Sequence, residues 1–535
     1  MTEMRVIEKL QPGPEGSAAP GPPGPPPILS VIDVGSSGLR MILAELHPDG
    51  SLRTLEELER PLALGRETFH TGTLSATSIS KAVGVLRLFK ERMEAYGVTH
   101  TRAVATSAVR AALNRDTFVD RVFLATGIEV EVIEGSQETL LTFAAVQRAL
   151  ASHPEYREGE TLMFELGGGA SEWALMRDGE VIASITHDFG TVRMRELLRE
   201  GAGDRRSRTR VIQHGVKEML NAVRASLPFE RLGSLVAVGS EARFAARALA
   251  PGGGELPELS TVAAKDLRKL ADQILAMSPA EVAAAYSIPA GEAESLGPAF
   301  LAFAELIRLS PVDRLLVPRA SMRDGLLLQM VRAIRSGSVM LYPEQTIAAA
   351  LSLARKYHAD EKHGLTTAAL ARAVFEATEP QHRMGEKERL LLEVAAIVHD
   401  IGAYVAVRGH HRHTYYLVSH SEIFGLSSVD LEVVANVARY HRRAGPQSDH
   451  PAYASLPRAA RLNVNRLSAI LRVADSLDKS HAQRIQDPRI RVEGGELRIE
   501  VPPGEDLALE RMSLEAKGGL FEEVFGLRPV LMETP

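Results

Sequence analysis

Two short turns, Asp33-Val34-Gly35-Ser36-Ser37 and Glu165-Leu166-Gly167-Gly168-Gly169-Ala170-Ser171, stand 132 residues apart, counted from Asp33 to Glu165. Each follows an apolar run that reads as a buried strand, and each places an acid at the strand end. Backbone amides with little or no side chain over them come next, then small hydroxyls. Bare N–H groups approach anionic oxygens closely, and a carboxylate beside them holds Mg²⁺ or orients water. That chemistry suits phosphate. The repeat suggests two related lobes that face one phosphate chain across a cleft, and phosphoanhydride hydrolysis is the expected reaction.

Further residues fit that task in chain order. Arg110 follows the strand-ending Ala105-Thr106-Ser107 and is placed to neutralise a polyanion. Glu134 and Glu138 flank Gly135-Ser136-Gln137 at a helix start; one of them takes a proton from water, and Glu134 is the better candidate for a helix cap. Gly239-Ser240 ends a later strand and offers one more amide and hydroxyl. Trp173, the only tryptophan, is read as core.

A second constellation lies in the C-terminal half: His363, the pair His399-Asp400, and Asp475. Imidazoles and carboxylates in such a set can hold a divalent metal. His410, His411 and His413 are read as solvated loop groups, and His420 as the start of a helix. Arg439, Arg442 and Arg443 suit repeated contacts to a long polyanion.

These residues need a large scaffold to hold them. At 535 residues the chain exceeds one ordinary core, and its 45% hydrophobic and 24% charged content is that of a globular protein. A net charge of −6 argues against coating DNA or an anionic membrane by bulk charge. With zero cysteines there is no thiolate nucleophile, disulfide framework or Cys-based zinc site. No apolar run reaches transmembrane length and no signal-peptide pattern opens the chain, so a cytoplasmic location is expected.

Residues 1–27 read as a disordered Pro/Gly-rich arm. From 28 to 150 strands and helices alternate: a hairpin from Val31–Val34 and Arg40–Glu45, a strand Leu52–Leu58, and a helix Ser75–Tyr96 with Ile79, Val83, Leu86 and Met93 on one face. Thr101–Thr106 and Glu129–Ile133 read as strands, Asn114–Ala125 and Gln137–Ala151 as helices. A second unit of the same plan runs from 151 to 336. It has strands Leu162–Glu165, Glu172–Met176, Glu180–His187, Leu235–Val238 and Leu315–Pro318, and helices Val192–Glu200, Ser207–Ser226, Glu241–Leu249 and Met322–Arg335. Gly252–Gly254 and the connections around 289–298 read as loops, and Gly337–Tyr342 as a linker. A helical domain follows over 343–490, with a strand and helix extension over 491–535.

The motifs Asp33-Val34-Gly35-Ser36-Ser37, Ala105-Thr106-Ser107-Ala108-Val109-Arg110, Glu134-Gly135-Ser136-Gln137-Glu138, Phe164 to Glu172 and Val238-Gly239-Ser240 stand in the order seen in exopolyphosphatases and guanosine pentaphosphate phosphohydrolases. Over roughly 29–335 the chain thus resembles the Ppx/GppA family. That resemblance implies a two-lobed actin-like ATPase (ribonuclease H-like) fold. It implies Glu138 as general base, Arg110 on phosphate, and Asp33 and Glu165 with Mg²⁺ (or Mn²⁺). It implies a phosphate floor from Gly35, Ser36, Ser37, Gly167, Gly168, Gly169, Ala170, Ser171, Gly239 and Ser240. The order His363, His399-Asp400, Asp475 on helical sequence resembles the HD superfamily of metal-dependent phosphohydrolases and implies a second divalent metal. The architecture expected is α/β and then all-α, with the helical part as the dimer contact.

The chain departs from the Ppx/GppA pattern in three places. Glu165 stands where aspartate is usual, one methylene longer. The first turn reads Gly35-Ser36-Ser37-Gly38 in place of Gly-Ser-Asn-Ser, and Gln137 replaces a glutamate before the base. The substrate expected is inorganic polyphosphate or guanosine pentaphosphate. Hydrolysis of a nucleotide in the HD-like domain, or binding of polyphosphate or an alarmone without turnover, are the alternatives.

Overall fold

The computed structural model describes residues 26–153, 156, 158–200, 205–250, 256–338, 340–442 and 444–534. Nearly all of the N-terminal arm, Gly252–Gly254 and Arg443 lie outside them. The chain forms two compact units, one of residues 1–179 with 184–341 and the other of 180–183 with 342–535.

The first unit holds two sheets of one plan. Strands β1 (Ile28–Val34), β2 (Gly38–Leu46), β3 (Leu52–Pro61), β4 (His100–Ala105) and β5 (Val130–Val132) lie in the order β3-β2-β1-β4-β5. Strands β6 (Glu160–Leu166), β7 (Ser171–Arg177), β8 (Glu180–His187), β9 (Leu232–Val238), β10 (Leu259–Ala263) and β11 (Arg314–Pro318) lie in the order β8-β7-β6-β9-β11-β10. In each sheet a hairpin leads, and its first strand pairs in parallel with a later one: β1 with β4, β6 with β9. Helices cover both faces of the sheet, which is why β1 reads as a mainly apolar run with Leu29, Val31, Ile32 and Val34 inaccessible. Each hairpin bends through its glycine turn in the same way. The Gly35 amide donates to the Gly38 carbonyl and the Gly167 amide to the Ala170 carbonyl, both over 3.0 Å.

The helix Ala76–Tyr96 follows its expected stripe. Ser75 Oγ accepts from the Ser78 amide over 3.1 Å at its start, and Gly97, with φ 66°, ends it in the left-handed region. The helix Gly135–Ala149 opens on a turn in which Gln137 Oε1 accepts from the Glu134 amide over 3.0 Å, so Glu134 is its cap.

Sequence patterning misplaced several elements. The stretch around 289–298 is no loop: a helix spans Ala290–Leu309 and carries Pro298 inside it. Proline removes one backbone hydrogen bond there, but burial of Leu296, Phe300, Phe303, Leu306 and Ile307 along one face outweighs that cost. The helices Leu64–Thr71, Ala264–Ala276 and Pro279–Tyr286 and strand β10 had no counterpart in the expected element order.

The second unit is built from the helices Pro343–Lys356, Glu361–Ala377, Glu386–Val398, His410–Ser419, Ser428–Arg439 and Arg458–Leu477. A three-stranded sheet in the order β12-β13-β14 (Arg489–Glu493, Glu496–Val501, Arg528–Glu533) and the helices Ala508–Lys517 and Gly519–Phe525 complete it. His410, His411 and His413 lie on a helix rather than in a loop, and His420 follows that helix rather than opening one. Burial of His410, His411, Thr414 and Val418 on one face supplies the periodicity that the histidine cluster hides in a hydropathy reading. No helix among the described residues is long and apolar enough to cross a membrane.

Candidate active site

The two glycine turns meet. Ser36 Oγ lies 2.9 Å from Ser107 Oγ, which ties the first turn to the segment after β4. Side chains are excluded where the turns approach. A Cβ on Gly168 would stand 3.0 Å from Ser36 Cβ, and one on Gly169 would stand 2.3 Å from the Phe69 ring and 2.5 Å from Ser107 Oγ. The amides of Thr191, Val192 and Arg193 donate to the carbonyls of Gly167 and Gly168 over 2.8–3.0 Å, so a helix N-terminus holds the second turn from behind.

Carboxylates converge between the turns. Asp33, at the end of β1, receives Arg323 Nη1 at 3.3 Å and has Arg40 Nη1 at 3.8 Å. Glu138 projects from the first turn of the helix Gly135–Ala149, with Arg110 Nη1 at 3.4 Å from its Oε2; the same nitrogen donates to the Ile133 carbonyl over 2.6 Å. Burial pushes the Glu138 carboxyl up to about 7; Arg110 pulls against that, and Glu165 and Asp33 add repulsion. Glu165, at the end of β6, is raised mainly by burial and also by Asp33, while the Thr142 hydroxyl, Arg243 and Arg323 favour its charged form. Thr142 Oγ1 donates to Glu165 Oε2 over 3.0 Å.

Of the other expected floor residues, Gly239 (φ 111°) lies beside the second turn, 3.9 Å from the Leu166 carbonyl to an ideal Cβ. Ser240 donates its hydroxyl hydrogen to Glu241 over 2.8 Å. Ser37 is exposed, and its carbonyl accepts from the Leu62 amide over 3.1 Å. Ala170 is buried, and the Ser171 hydroxyl turns away from the cleft: it is buried and accepts from Trp173 Nε1 over 2.9 Å. Trp173 itself is core, stacked on Phe164.

Sequence reasoning missed Thr142, Arg40, Arg243, Arg323 and Arg193. Thr142 was discoverable, because it stands one helical turn beyond Glu138 and must share its face. Arg40 faces Asp33 across the β1–β2 hairpin, whereas Arg243 and Arg323 come from distant segments with no local pattern. Arg243, Arg247, Arg319 and Arg323 line a cavity of about 330 Å³ together with Glu57 and Asp324. Arg323 Nε is buried there without a hydrogen-bond partner, an orphan that an anionic oxygen satisfies. Arg193 donates from Nε to the Gly169 carbonyl over 3.0 Å and lies over the Phe69 ring at 4.5 Å.

In the second unit His363, His399, Asp400 and Asp475 are brought together, and His410 and His441 join them. Two triads are tight enough to share an ion, His363 with His399 and Asp475, and Asp400 with His410 and His441. Asp400 also groups with His363 and the exposed His481. Among the described residues no such tight group forms around Asp33, Glu138 and Glu165. Arg439 lies over the rings of Tyr415 and Tyr440, and Arg442 is exposed.

The Ppx/GppA phosphatase family matches residues 44–333, and its phosphatase domain III matches residues 346–517. The guanosine-5'-triphosphate,3'-diphosphate pyrophosphatase of Vibrio vulnificus is 25% identical over 500 residues, spanning 89% of this chain and 92% of that protein. That of Vibrio parahaemolyticus is 25% identical over 429 residues, with 78% of this chain and 81% of that protein covered. The exopolyphosphatase structure from Cytophaga hutchinsonii superposes with a TM-score of 0.52 at 21% identity, covering 58% of this chain and all of that one (100%). The Ppx/GppA structure from Aquifex aeolicus gives 0.50 at 23% identity, over 58% of this chain and 99% of that one. The fold of residues in the first unit is that of these structures, two α/β lobes, and a helical region follows it in this chain. With both parts of its length matched, the chain belongs to the Ppx/GppA phosphatase family and is a phosphoanhydride hydrolase.

Proposed function

We propose that the first unit removes the terminal phosphate of inorganic polyphosphate, or the 5'-terminal phosphate of guanosine pentaphosphate, by attack of a water that Glu138 deprotonates. The observation that carries this reading is the meeting of the two turns around Asp33, Glu138 and Glu165. A partly buried carboxyl raised to about 7 is poised to accept a proton near neutral pH and to give it up again. Arg110, 3.4 Å from that carboxyl, sits where charge on the equatorial phosphoryl oxygens is stabilised. Mg²⁺ beside Asp33 and Glu165 would neutralise the phosphate chain, and the crowding of buried and partly buried carboxylates favours a cation there. The arginine-lined cavity suits the rest of a polyanion. In this reading the enzyme works in the cytoplasm as a homodimer.

Phosphate release from polyphosphate and from guanosine pentaphosphate, with Mg²⁺, tests it. Glu138→Gln is expected to cut release from both by about 10²–10⁴-fold while retaining binding; turnover that stays close to the wild-type rate overturns the assignment.

A further inference from the structure

Three consecutive carbonyls of the second turn, those of Gly167, Gly168 and Gly169, are drawn towards the helix Thr191–Glu200. The Thr191 amide donates to the first over 3.0 Å, and the Val192 and Arg193 amides donate to the second over 2.8 and 3.0 Å. The third is held by a side chain: Arg193 Nε donates to the Gly169 carbonyl over 3.0 Å. In a planar trans peptide a carbonyl and the N–H that follows it point in opposite directions. The amides of Gly168, Gly169 and Ala170 are therefore turned away from that helix. Among the described residues none accepts a hydrogen bond from these three amides. Gly169 and Ala170 are buried, and a buried N–H without an acceptor costs free energy that an anionic oxygen recovers.

Arg193 also links this turn to the first lobe. Its guanidinium lies over the Phe69 ring at 4.5 Å, and Phe69 stands on the helix Leu64–Thr71. The start of that helix grips the first turn, since the Gly65 amide donates to the Ser36 carbonyl over 2.9 Å. An ion pair runs alongside, Arg66 Nε to the buried Glu196 Oε1 at 3.9 Å. A further partner of Arg193, Asp188 at 3.4 Å, has a side chain 81% exposed and contributes little. One side chain thus touches the backbone of the second turn and the helix that grips the first.

We propose that Arg193 is a positioning residue of the hydrolytic cleft: by fixing the Gly169 carbonyl it aims the Ala170 amide at the phosphoryl oxygens, and through Phe69 it makes that aim depend on the first lobe. A bond from a charged donor to the carbonyl polarises the peptide and strengthens the Ala170 N–H in turn. The planar guanidinium lies flat on the ring while its edge donates, whereas a lysine ammonium is a point donor and cannot do both. Charge on the phosphoryl oxygens is redistributed as the bond to the leaving group breaks. Aimed amides therefore act on the transition state more than on bound substrate. The inference rests on the cleft of the first unit being the hydrolytic site.

The full-length enzyme is to be assayed for phosphate release from polyphosphate and from guanosine pentaphosphate, and for inhibition by orthovanadate, a mimic of the phosphoryl group in transit. Arg193→Ala is expected to lower kcat by about 10–10²-fold, somewhat less than outright loss of an oxyanion donor, with KM little changed. Vanadate inhibition weakens by the same factor as kcat, and ethylguanidinium added to the assay restores part of both. Arg193→Lys and Phe69→Leu fall between the wild type and Arg193→Ala. A kcat close to wild type in Arg193→Ala, or a raised KM with kcat and vanadate inhibition unchanged, overturns the proposal in favour of a packing or substrate-contact role. Should Arg193→Ala not fold, Arg193→Lys decides by the same split. If Glu138→Gln keeps the wild-type rate while Arg193→Ala loses it, the base is misassigned and the role of Arg193 stands.

Discussion

Thr142 reaches from the helix that carries Glu138 to donate its hydroxyl hydrogen to Glu165, 3.0 Å away at the end of β6. One helix of the first lobe thus presents the proposed base and also fixes the acid of the second lobe. Glu165 is a methylene longer than the aspartate usual in the family, and the hydroxyl restrains that extra reach. Thr142→Val keeps the shape and deletes the donor. It should raise the Glu165 carboxyl further, lower kcat with Mg²⁺, and destabilise the fold by about 1–3 kcal/mol. Thermal melts and the Mg²⁺ dependence of turnover check both effects.

Turnover should climb as pH rises through about 7, because Glu138 accepts a proton only when ionised. Mg²⁺ near Asp33 and Glu165 should move that limb to lower pH, since a cation favours the charged carboxyl. The stability change runs the other way. A carboxyl raised from 4.5 to about 7 in the folded protein binds more protons there than in the unfolded chain. Its contribution is fully present below 4.5 and is lost as pH rises through about 7. Relative to Glu138→Gln, the wild type should therefore lose melting temperature across that interval.

Glu138→Gln itself should cut kcat by about 10²–10⁴-fold, the usual worth of general base catalysis. Affinity measured by isothermal titration should change little, because the glutamine keeps the size of the side chain and Arg110 keeps its bond to the Ile133 carbonyl.

Gly169→Ala should destabilise the protein by about 1–3 kcal/mol and abolish activity, since the added methyl meets the Phe69 ring and Ser107 Oγ. Gly84→Ala is the contrast. It lies inside the helix Ala76–Tyr96 with nothing within 4 Å of a Cβ, and should stabilise by about 0.5–1 kcal/mol. Urea titrations of the two variants separate crowding at the turns from a general effect of removing glycine.

Arg247→Ala should raise KM for polyanionic substrates with kcat nearly unchanged. Arg247 is exposed and lines the arginine cavity, whereas Arg323 in the same cavity also contacts Asp33 at 3.3 Å. Arg323→Ala should therefore change kcat as well as KM. Added salt should shrink the Arg247 effect, because its contribution is a screened charge interaction.

Both glycine turns, the strands before them and the duplicated plan were legible in the sequence because local chemistry specifies them. A mainly apolar run demands burial on two faces, and glycine after an acid demands close approach of a backbone. Glu138 and Arg110 came from ordered motifs that carry a family resemblance. By contrast, Arg243 and Arg323 lie some 70 and 150 residues beyond the second turn, and nothing near them in the chain announces a cleft. The long helix containing Pro298 escaped notice because tertiary burial overrode a local breaker.

By itself the chain determined that two acid-glycine turns exist, that an all-α region follows an α/β one, and that His363, His399, Asp400 and Asp475 could share chemistry. Only folding decided that Thr142 would reach Glu165, that the Ser171 hydroxyl would face the core, and that His410 and His441 would close on Asp400. The reason is geometric. Spacing along a strand or helix sets which side chains share a face, whereas the angle and depth at which two such elements pack set which of those side chains touch. Those depend on contacts between residues hundreds of positions apart.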